Sequence, residues 1–228
     1  MVIKIPSLGE CKIISPLKNF QSEQGKKSLL FIDDNIYISN SIEINEHGDY
    51  LEKEPKYFEK AGPREKIFFQ PGNTIAGIVT CGGICPGLNN VIRSLVVELW
   101  FHYGVREILG FRYGYEGLNP EKNLPPLQLD PEIVDEIHDE GGTLLGTSRG
   151  PQEPEKMMSY LRSMGVNLLF CVGGDGTHRG AYQLFRILQE KSYPISIIGI
   201  PKTIDNDILY TSRTFGFNTA IEEARKVL

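Results

Sequence analysis

The chain has 228 residues, 40% hydrophobic and 23% charged, enough for one large or two small domains with a substantial core, and its composition fits neither a disordered nor a membrane class. A net charge of −5 argues against nucleic acid as the main partner. No apolar run approaches the ~20 residues that cross a bilayer, so no membrane partner is expected. Met1 to Leu8 lacks the apolar core of a secretory signal. Four cysteines do not make a disulfide framework in this length; they read as thiols of a reducing cytosol, and a cytoplasmic location is expected. Cys81 and Cys85 are four apart, but no other Cys or His stands at ligand spacing, which argues against zinc.

Residues 1–70 form an N-terminal extension with scattered β-like pieces. Leu29 to Ile32 and Ile36 to Ile38 flank Asp33-Asp34-Asn35, which could turn a hairpin. No chemistry-bearing motif appears there, and the extension is expected to pack on the domain or on a neighbouring subunit. From Thr74 the pattern becomes regular. Ile75 to Thr80 is a buried strand, and Cys81 to Asn89 a glycine loop. A helix follows to about Tyr103, with Leu88, Val91, Ile92, Leu95, Val96, Leu99 and Trp100 at helical spacing and Pro86 at its entry. A strand over Glu107 to Phe111 leads to the glycine- and tyrosine-rich turn Tyr113 to Leu118. The pattern then predicts a helix over Pro131 to Asp139 stopped by Gly141-Gly142, a short strand into a loop over Thr143 to Pro151, and a helix over Glu153 to Met164 stopped by Gly165. The apolar run Leu168-Leu169-Phe170 enters Cys171-Val-Gly-Gly-Asp-Gly-Thr177, and a helix is expected from Arg179 to Lys191. Ile195 to Ile200 is a last strand, and Thr219 with Glu222 forms a capping box for a last helix. This alternation predicts, for residues 71–228, an α/β domain: a parallel sheet with helices on both faces, a Rossmann-like three-layer arrangement with right-handed crossovers.

Three glycine-rich or acidic turns follow predicted strands: Gly82-Gly83, Gly174 to Thr177, and Thr203 to Asp207. In an open parallel sheet ligands bind beyond the carboxyl ends of the strands, so these turns should meet at one edge. Backbone N–H groups in a glycine turn at a helix N-terminus suit anionic oxygens, and Asp175 among them could hold a divalent cation against phosphates. Lys202 and Arg149 would offset charge on phosphoryl oxygens. Asp205 and Asp207 are two apart and would point the same way in extended chain, one as a base for a hydroxyl proton. Equally, the Asp205-Asn-Asp207 turn suits carboxylates that cap local N–H groups. His178 has no carboxylate partner in sequence and is expected at the surface or in packing.

The motifs Thr80-Cys-Gly-Gly-Ile-Cys-Pro-Gly-Leu-Asn-Asn90, Gly141-Gly-Thr-Leu-Leu-Gly-Thr-Ser-Arg149, Gly173-Gly-Asp-Gly-Thr177 and Pro201-Lys-Thr-Ile-Asp-Asn-Asp207 resemble, in order and spacing, those of the phosphofructokinase family, particularly its trypanosomatid and plant ATP-dependent branch. The resemblance covers about Phe69 to Leu228. It implies phosphoryl transfer from Mg-ATP to the 1-hydroxyl of fructose 6-phosphate. On it, Gly83, Arg149, Gly150 and Gly174 to Thr177, including Gly176, would bind nucleotide, with Asp175 carrying Mg²⁺ and Tyr115 near the adenosine end. Thr203, Ile204 and Asp205 would contact fructose 6-phosphate, Asp205 as the base, and Asp207 would support the magnesium and the turn.

Donor choice divides along two positions. Pyrophosphate-dependent members carry Asp where this chain has Gly176, which leaves room for an α-phosphate and favours ATP; Lys202 points the other way, since bacterial ATP enzymes have Gly there. A pyrophosphate-dependent enzyme is therefore the alternative. Gly-Gly-Asp-Gly-Thr also occurs in NAD kinases and diacylglycerol kinases, but the Thr-Ile-Asp-Asn-Asp turn favours phosphofructokinase. Family chains continue through a further sugar-phosphate domain beyond the point matching Leu228. These 228 residues are thus expected to bind nucleotide with little kinase activity, a non-catalytic nucleotide-binding fragment being the third reading. A homo-oligomer, dimer or tetramer, is expected of the full-length product.

Overall fold

The computed structural model describes residues 1–20 and 31–228, which fall into two compact units, Met1–Gln70 and Pro71–Leu228. The first unit holds short strands: β1 (Val2–Ile3), β2 (Ile13–Ile14), β3 (Tyr37–Ser39), β4 (Tyr57–Glu59) and β5 (Lys66–Ile67). β4 lies between β1, to which it is parallel, and β3, to which it is antiparallel; β2 pairs antiparallel with β5. The hairpin expected about Asp33-Asp34-Asn35 exists only as a turn, with Ile36 N–H donating to Asp33 O at 3.2 Å. The strand after it pairs with β4 instead. Arg64 explains the choice, since it bridges Asp34 at 2.9 Å and Glu59 of β4 at 3.0 Å. Leu29 and Leu30, half of the expected partner, lie outside the described residues.

The second unit is an α/β domain built on one sheet. Its elements are β6 (Ile75–Thr80), α1 (Leu88–Val97), β7 (Glu107–Phe111), β8 (Leu127–Gln128), α2 (Pro154–Ser163), β9 (Leu168–Gly173), α3 (Asp175–Glu190), β10 (Ser196–Pro201) and α4 (Phe217–Val227). The strand order is β10-β9-β6-β7-β8, parallel except for the antiparallel edge pair β7–β8. The central strands read as continuous apolar runs because both sheet faces are covered. Val79, Leu169 and Cys171 point to one face, where Met157 and Leu161 of α2 and Ala181, Leu184 and Leu188 of α3 pack. Ala76, Ile78 and Ile108 point to the other, against Ile92 and Val96 of α1 and Val134 and Ile137. Leu184 is wholly buried, so truncation to alanine would cost about 2–5 kcal/mol. Gly77 keeps the centre of β6 closed: a Cβ there would stand 2.8 Å from the Phe111 ring.

Four local expectations are corrected and one is refined. Residues 131–136 form turns followed by one 3-10 turn, Ile137–Asp139, rather than a helix; the Asp135 carbonyl there accepts from the Arg93 and His138 side chains, at 3.2 and 2.9 Å, instead of entering a helical ladder. Residues 143–151 form no strand, because side chains take their backbone groups: Asn89 Oδ1 accepts from Leu144 N–H at 2.7 Å and Thr80 Oγ1 donates to Gly146 O at 2.8 Å. The helix begun as α1 does run to Tyr103 as expected, but passes at Glu98 into a π-helical turn before the left-handed Gly104 (φ 76°). α4 starts at Phe217 after Gly216 (φ 85°), so Thr219 lies inside it, and Glu222 pairs with Arg225 at 2.8 Å rather than closing a capping box. α3 begins at Asp175, four residues earlier than expected, with the extended Gly174 as its N-cap. That last shift matters most for the site.

Candidate active site

β9 ends at Gly173 and α3 begins two residues later. The junction is this tight because residue 173 has no side chain: a Cβ would run into Thr177 Oγ1. Gly173, Gly174 and Thr177 thus fold the helix start directly onto the strand end. The first-turn N–H groups of Asp175 and Gly176 have no intrahelical acceptor and carry the positive end of the helix dipole. A Cβ on Gly176 would meet no heavy atom within 4 Å, so open space lies in front of this turn. Tyr115 braces it from behind. Its hydroxyl donates to Thr177 O at 2.6 Å, and its ring packs where a Gly180 side chain would stand. Burial holds that phenol far above its ordinary pKa.

The glycine turn after β6 lies at the same edge of the sheet. Gly82, in the left-handed region (φ 82°), is held twice: its N–H donates to Ser148 O at 3.0 Å, and its carbonyl accepts from Thr147 Oγ1 at 2.7 Å. This ties the 143–151 loop to the turn and brings the Arg149 guanidinium to 3.7 Å from where a Cβ on Gly83 would be. Lys202 is 6% exposed, and its Nζ donates to Gly83 O at 2.5 Å. Its backbone N–H extends the β10–β9 ladder by donating to Gly173 O at 2.9 Å. A buried ammonium is thereby fixed on the Gly82-Gly83 turn, while the Lys202 backbone is tied to the end of β9.

These pieces enclose a cleft of about 460 Å³. Of the residues singled out from sequence, Gly83, Tyr115, Arg149, Gly150, Gly174, Asp175, Gly176, Thr177 and Lys202 line it. Thr203, Ile204, Asp205 and Asp207 do not; they belong to the loop that follows Lys202. Sequence reasoning missed Arg179, Gly180 and Gln183, which also line the cleft. They follow Gly176 at helical spacing, a signal hidden by placing the helix start at Arg179. Cys81 and Met157 form part of the wall. Burial pushes the Cys81 and Cys171 thiols up to about 12 and raises that of Cys85. His178 packs on Gly199, its Nε2 buried without a hydrogen-bond partner among the described residues.

The Asp205–Asp207 turn is not extended, because Asn206 is left-handed (φ 55°). The Thr203 hydroxyl donates to Asp207 Oδ1 at 2.8 Å and accepts from Asp205 N–H at 3.1 Å. The two carboxylates therefore differ. Asp207 is engaged locally, whereas the Asp205 carboxylate accepts no hydrogen bond among the described residues. No cluster of three or more His, Cys, Asp or Glu able to hold a metal is found among the described residues. In the cleft, Asp175 is the exposed carboxylate, 3.9 Å from Arg179. One carboxylate together with substrate phosphates is a donor set that Mg²⁺ accepts, so the residues present fit that ion. No helix among the described residues is long and apolar enough to cross a membrane.

An open α/β sheet whose strand ends gather a helix N-terminus, a glycine turn and a buried lysine is an α/β domain with a cleft whose chemistry suits anionic ligands. The phosphofructokinase family profile matches residues 75–228, and the chain belongs to that family. It is 46% identical over 222 residues to the ATP-dependent 6-phosphofructokinase of Borreliella burgdorferi, covering 97% of this chain and 49% of the relative. That match is longer than the second unit, so it extends through much of Met1–Gln70. The Trypanosoma cruzi enzyme of the same name is 49% identical over 170 residues, 75% of this chain and 35% of that one. Among solved structures, phosphofructokinase from Saccharomyces cerevisiae superposes with a TM-score of 0.56 at 26% identity, over 68% of this chain and 23% of that one. The chain spans about half the length of the B. burgdorferi relative.

Proposed function

We propose that the second unit is the donor half of a phosphoryl-transfer site, which takes Mg-ATP and directs its γ-phosphoryl group to the 1-hydroxyl of fructose 6-phosphate, giving fructose 1,6-bisphosphate and ADP. The observation that carries this reading is the convergence of the α3 N-terminus, the Gly82-Gly83 turn and the buried Lys202 ammonium on one cleft at the strand ends. In it the N–H groups of Asp175 and Gly176 receive phosphate oxygens, and Lys202 and Arg149 offset their charge. Asp175 would hold Mg²⁺, which withdraws charge from the transferring phosphoryl group. The Asp205 carboxylate, free of local hydrogen bonds among the described residues, accepts the proton of the attacking hydroxyl as the new O–P bond forms and the bond to the β-phosphate oxygen breaks. Asp207, engaged by the Thr203 hydroxyl, fixes the turn. Thr203 and Ile204, partly exposed beside it, offer contacts to the sugar phosphate.

Lys202 favours a second reading, pyrophosphate as donor, since a buried ammonium suits a compact, highly charged anion. The open space at Gly176 favours ATP. Calorimetric titration with each magnesium complex separates the two. Tighter binding of Mg-ATP is expected; the reverse order overturns the choice of donor, and absence of both overturns the site.

A further inference from the structure

The loop between Lys202 and α4 is exposed over residues 209–213, yet one residue at its far end, Thr214, is 9% exposed. Its burial coincides with a set of hydrogen bonds that no turn chemistry between Thr203 and Asp207 requires. The Thr214 hydroxyl donates to the Thr203 carbonyl at 3.1 Å, with Asn206 Oδ1 a second acceptor at 3.4 Å. Thr214 N–H donates to Asn206 Oδ1 at 2.8 Å, and Asn206 Nδ2 donates to Ser212 O at 3.3 Å. The two ends of the 204–213 loop are thus pinned together at Thr203 and Thr214, as in a compact loop closed on itself.

We propose that Asn206 and Thr214 are positioning residues that set the direction of the Asp205 and Asp207 carboxylates, touching neither substrate nor cofactor themselves. The physical argument starts from Asn206. In extended chain Asp205 and Asp207 would project together; the left-handed residue between them (φ 55°) breaks that alternation. Asparagine tolerates this conformation better than most residues, but does not select it unaided. The bonds from Asn206 to Thr214 and Ser212 hold it there. With the backbone so turned, Asp207 folds back to the Thr203 hydroxyl at 2.8 Å while Asp205 keeps its oxygens clear. Thr214 acts on the same hydroxyl-bearing residue from the other side, through the Thr203 carbonyl. Without the bracket, Asp205 would be free to compete for the Thr203 hydroxyl, and the difference between the two carboxylates would be lost.

This inference deepens the proposed function by assigning residues that aim its base. The test compares Thr214→Val, which keeps the shape and removes the hydroxyl, with Thr214→Ser, which restores it. Asn206→Gly serves as the second variant, keeping the left-handed backbone accessible without the side chain. Two readouts are taken on the whole chain: the side-chain carboxylate ¹³C resonances of Asp205 and Asp207 in the unliganded protein, and the single-turnover rate of fructose 6-phosphate phosphorylation with protein in excess over labelled ATP. Thr214→Val and Asn206→Gly are expected to move both resonances and to slow turnover roughly tenfold to a hundredfold. Mg-ATP affinity should stay within a factor of about two, and Thr214→Ser should restore resonances and rate. Unmoved resonances overturn the inference whatever the rate, as does a parallel loss of Mg-ATP binding that serine fails to rescue. If the wild-type chain alone shows no turnover, as expected of a donor half, the resonances by themselves decide the bracket.

Discussion

Replacement of Gly176 by aspartate tests the donor assignment most directly. Gly176 is the second residue of α3 and lines the cleft; it is not in the left-handed region, and a Cβ there meets nothing within 4 Å. The variant therefore fits without strain. Its effect on the fold runs opposite to its effect on binding. Removing a glycine from a helix and adding a carboxylate to its first turn each stabilise by roughly 0.3–1 kcal/mol, so the melting temperature should rise by about 1–8 °C. A carboxylate about 6 Å from a phosphate charge, at an effective dielectric of about 20, is repelled by about 2.8 kcal/mol, close to a hundredfold in affinity. Arg179, one turn on, offsets part of this. Gly176→Asn separates bulk from charge and should lose less than tenfold. Titration calorimetry with Mg-ATP and thermal melts on the three proteins read both effects. Unchanged ATP affinity in Gly176→Asp refutes the reasoning, and so does an equal loss in Gly176→Asn or a lowered melting temperature.

Lys202→Met should weaken binding of Mg-ATP and of magnesium pyrophosphate alike, by roughly tenfold to a hundredfold, because the buried ammonium lines the cleft from the Gly82-Gly83 turn; equal affinity in titration would remove Lys202 from the site. Tyr115→Phe keeps the ring against Gly180 but leaves Thr177 O without its partner, so a loss of about 1 kcal/mol is expected, read as a small fall in melting temperature. The native protein should expose one thiol to a disulfide reagent, that of Cys11, while Cys81, Cys85 and Cys171 react only on unfolding. Because burial lifts the Cys81 and Cys171 thiols from 9.0 to about 12, the unfolded chain sheds their protons first. The stability this preserves is full below about pH 9 and should be lost progressively toward pH 12. Denaturant melts over that range check it, and a flat profile would contradict the burial.

Apolar periodicity located β6, β7 and β9 and the helical stretches that became α1, α2 and α3, because strands buried on both faces and helices buried on one leave unambiguous patterns. The glycine turns were legible for a related reason. A chain that must turn sharply at Gly82 or close Thr177 onto Gly173 tolerates little else. Where backbone groups are taken by distant side chains, local pattern failed. Asn89 and Thr80 hold residues 143–146, and Arg93 reaches Asp135, so neither segment forms the element its sequence suggests. Nor could sequence foresee that β3 would pair with β4, since Arg64 makes that choice from beyond both.

The site divides in the same way. Sequence alone supplied the residue types: glycines, one carboxylate at a helix start, a lysine and an Asp-Asn-Asp turn. The alternation of strands placed the turns at one sheet edge, but spacing in the chain does not say which of their side chains share a cavity. Only the tertiary structure decided that Lys202 is buried against Gly83, that α3 begins at Asp175 and so carries Arg179 and Gln183 into the cleft, and that Asp205 and Asp207 differ. The physical reason is that each of these depends on hydrogen bonds spanning loops from separate strands, whereas the identity of a turn depends only on the residues within it.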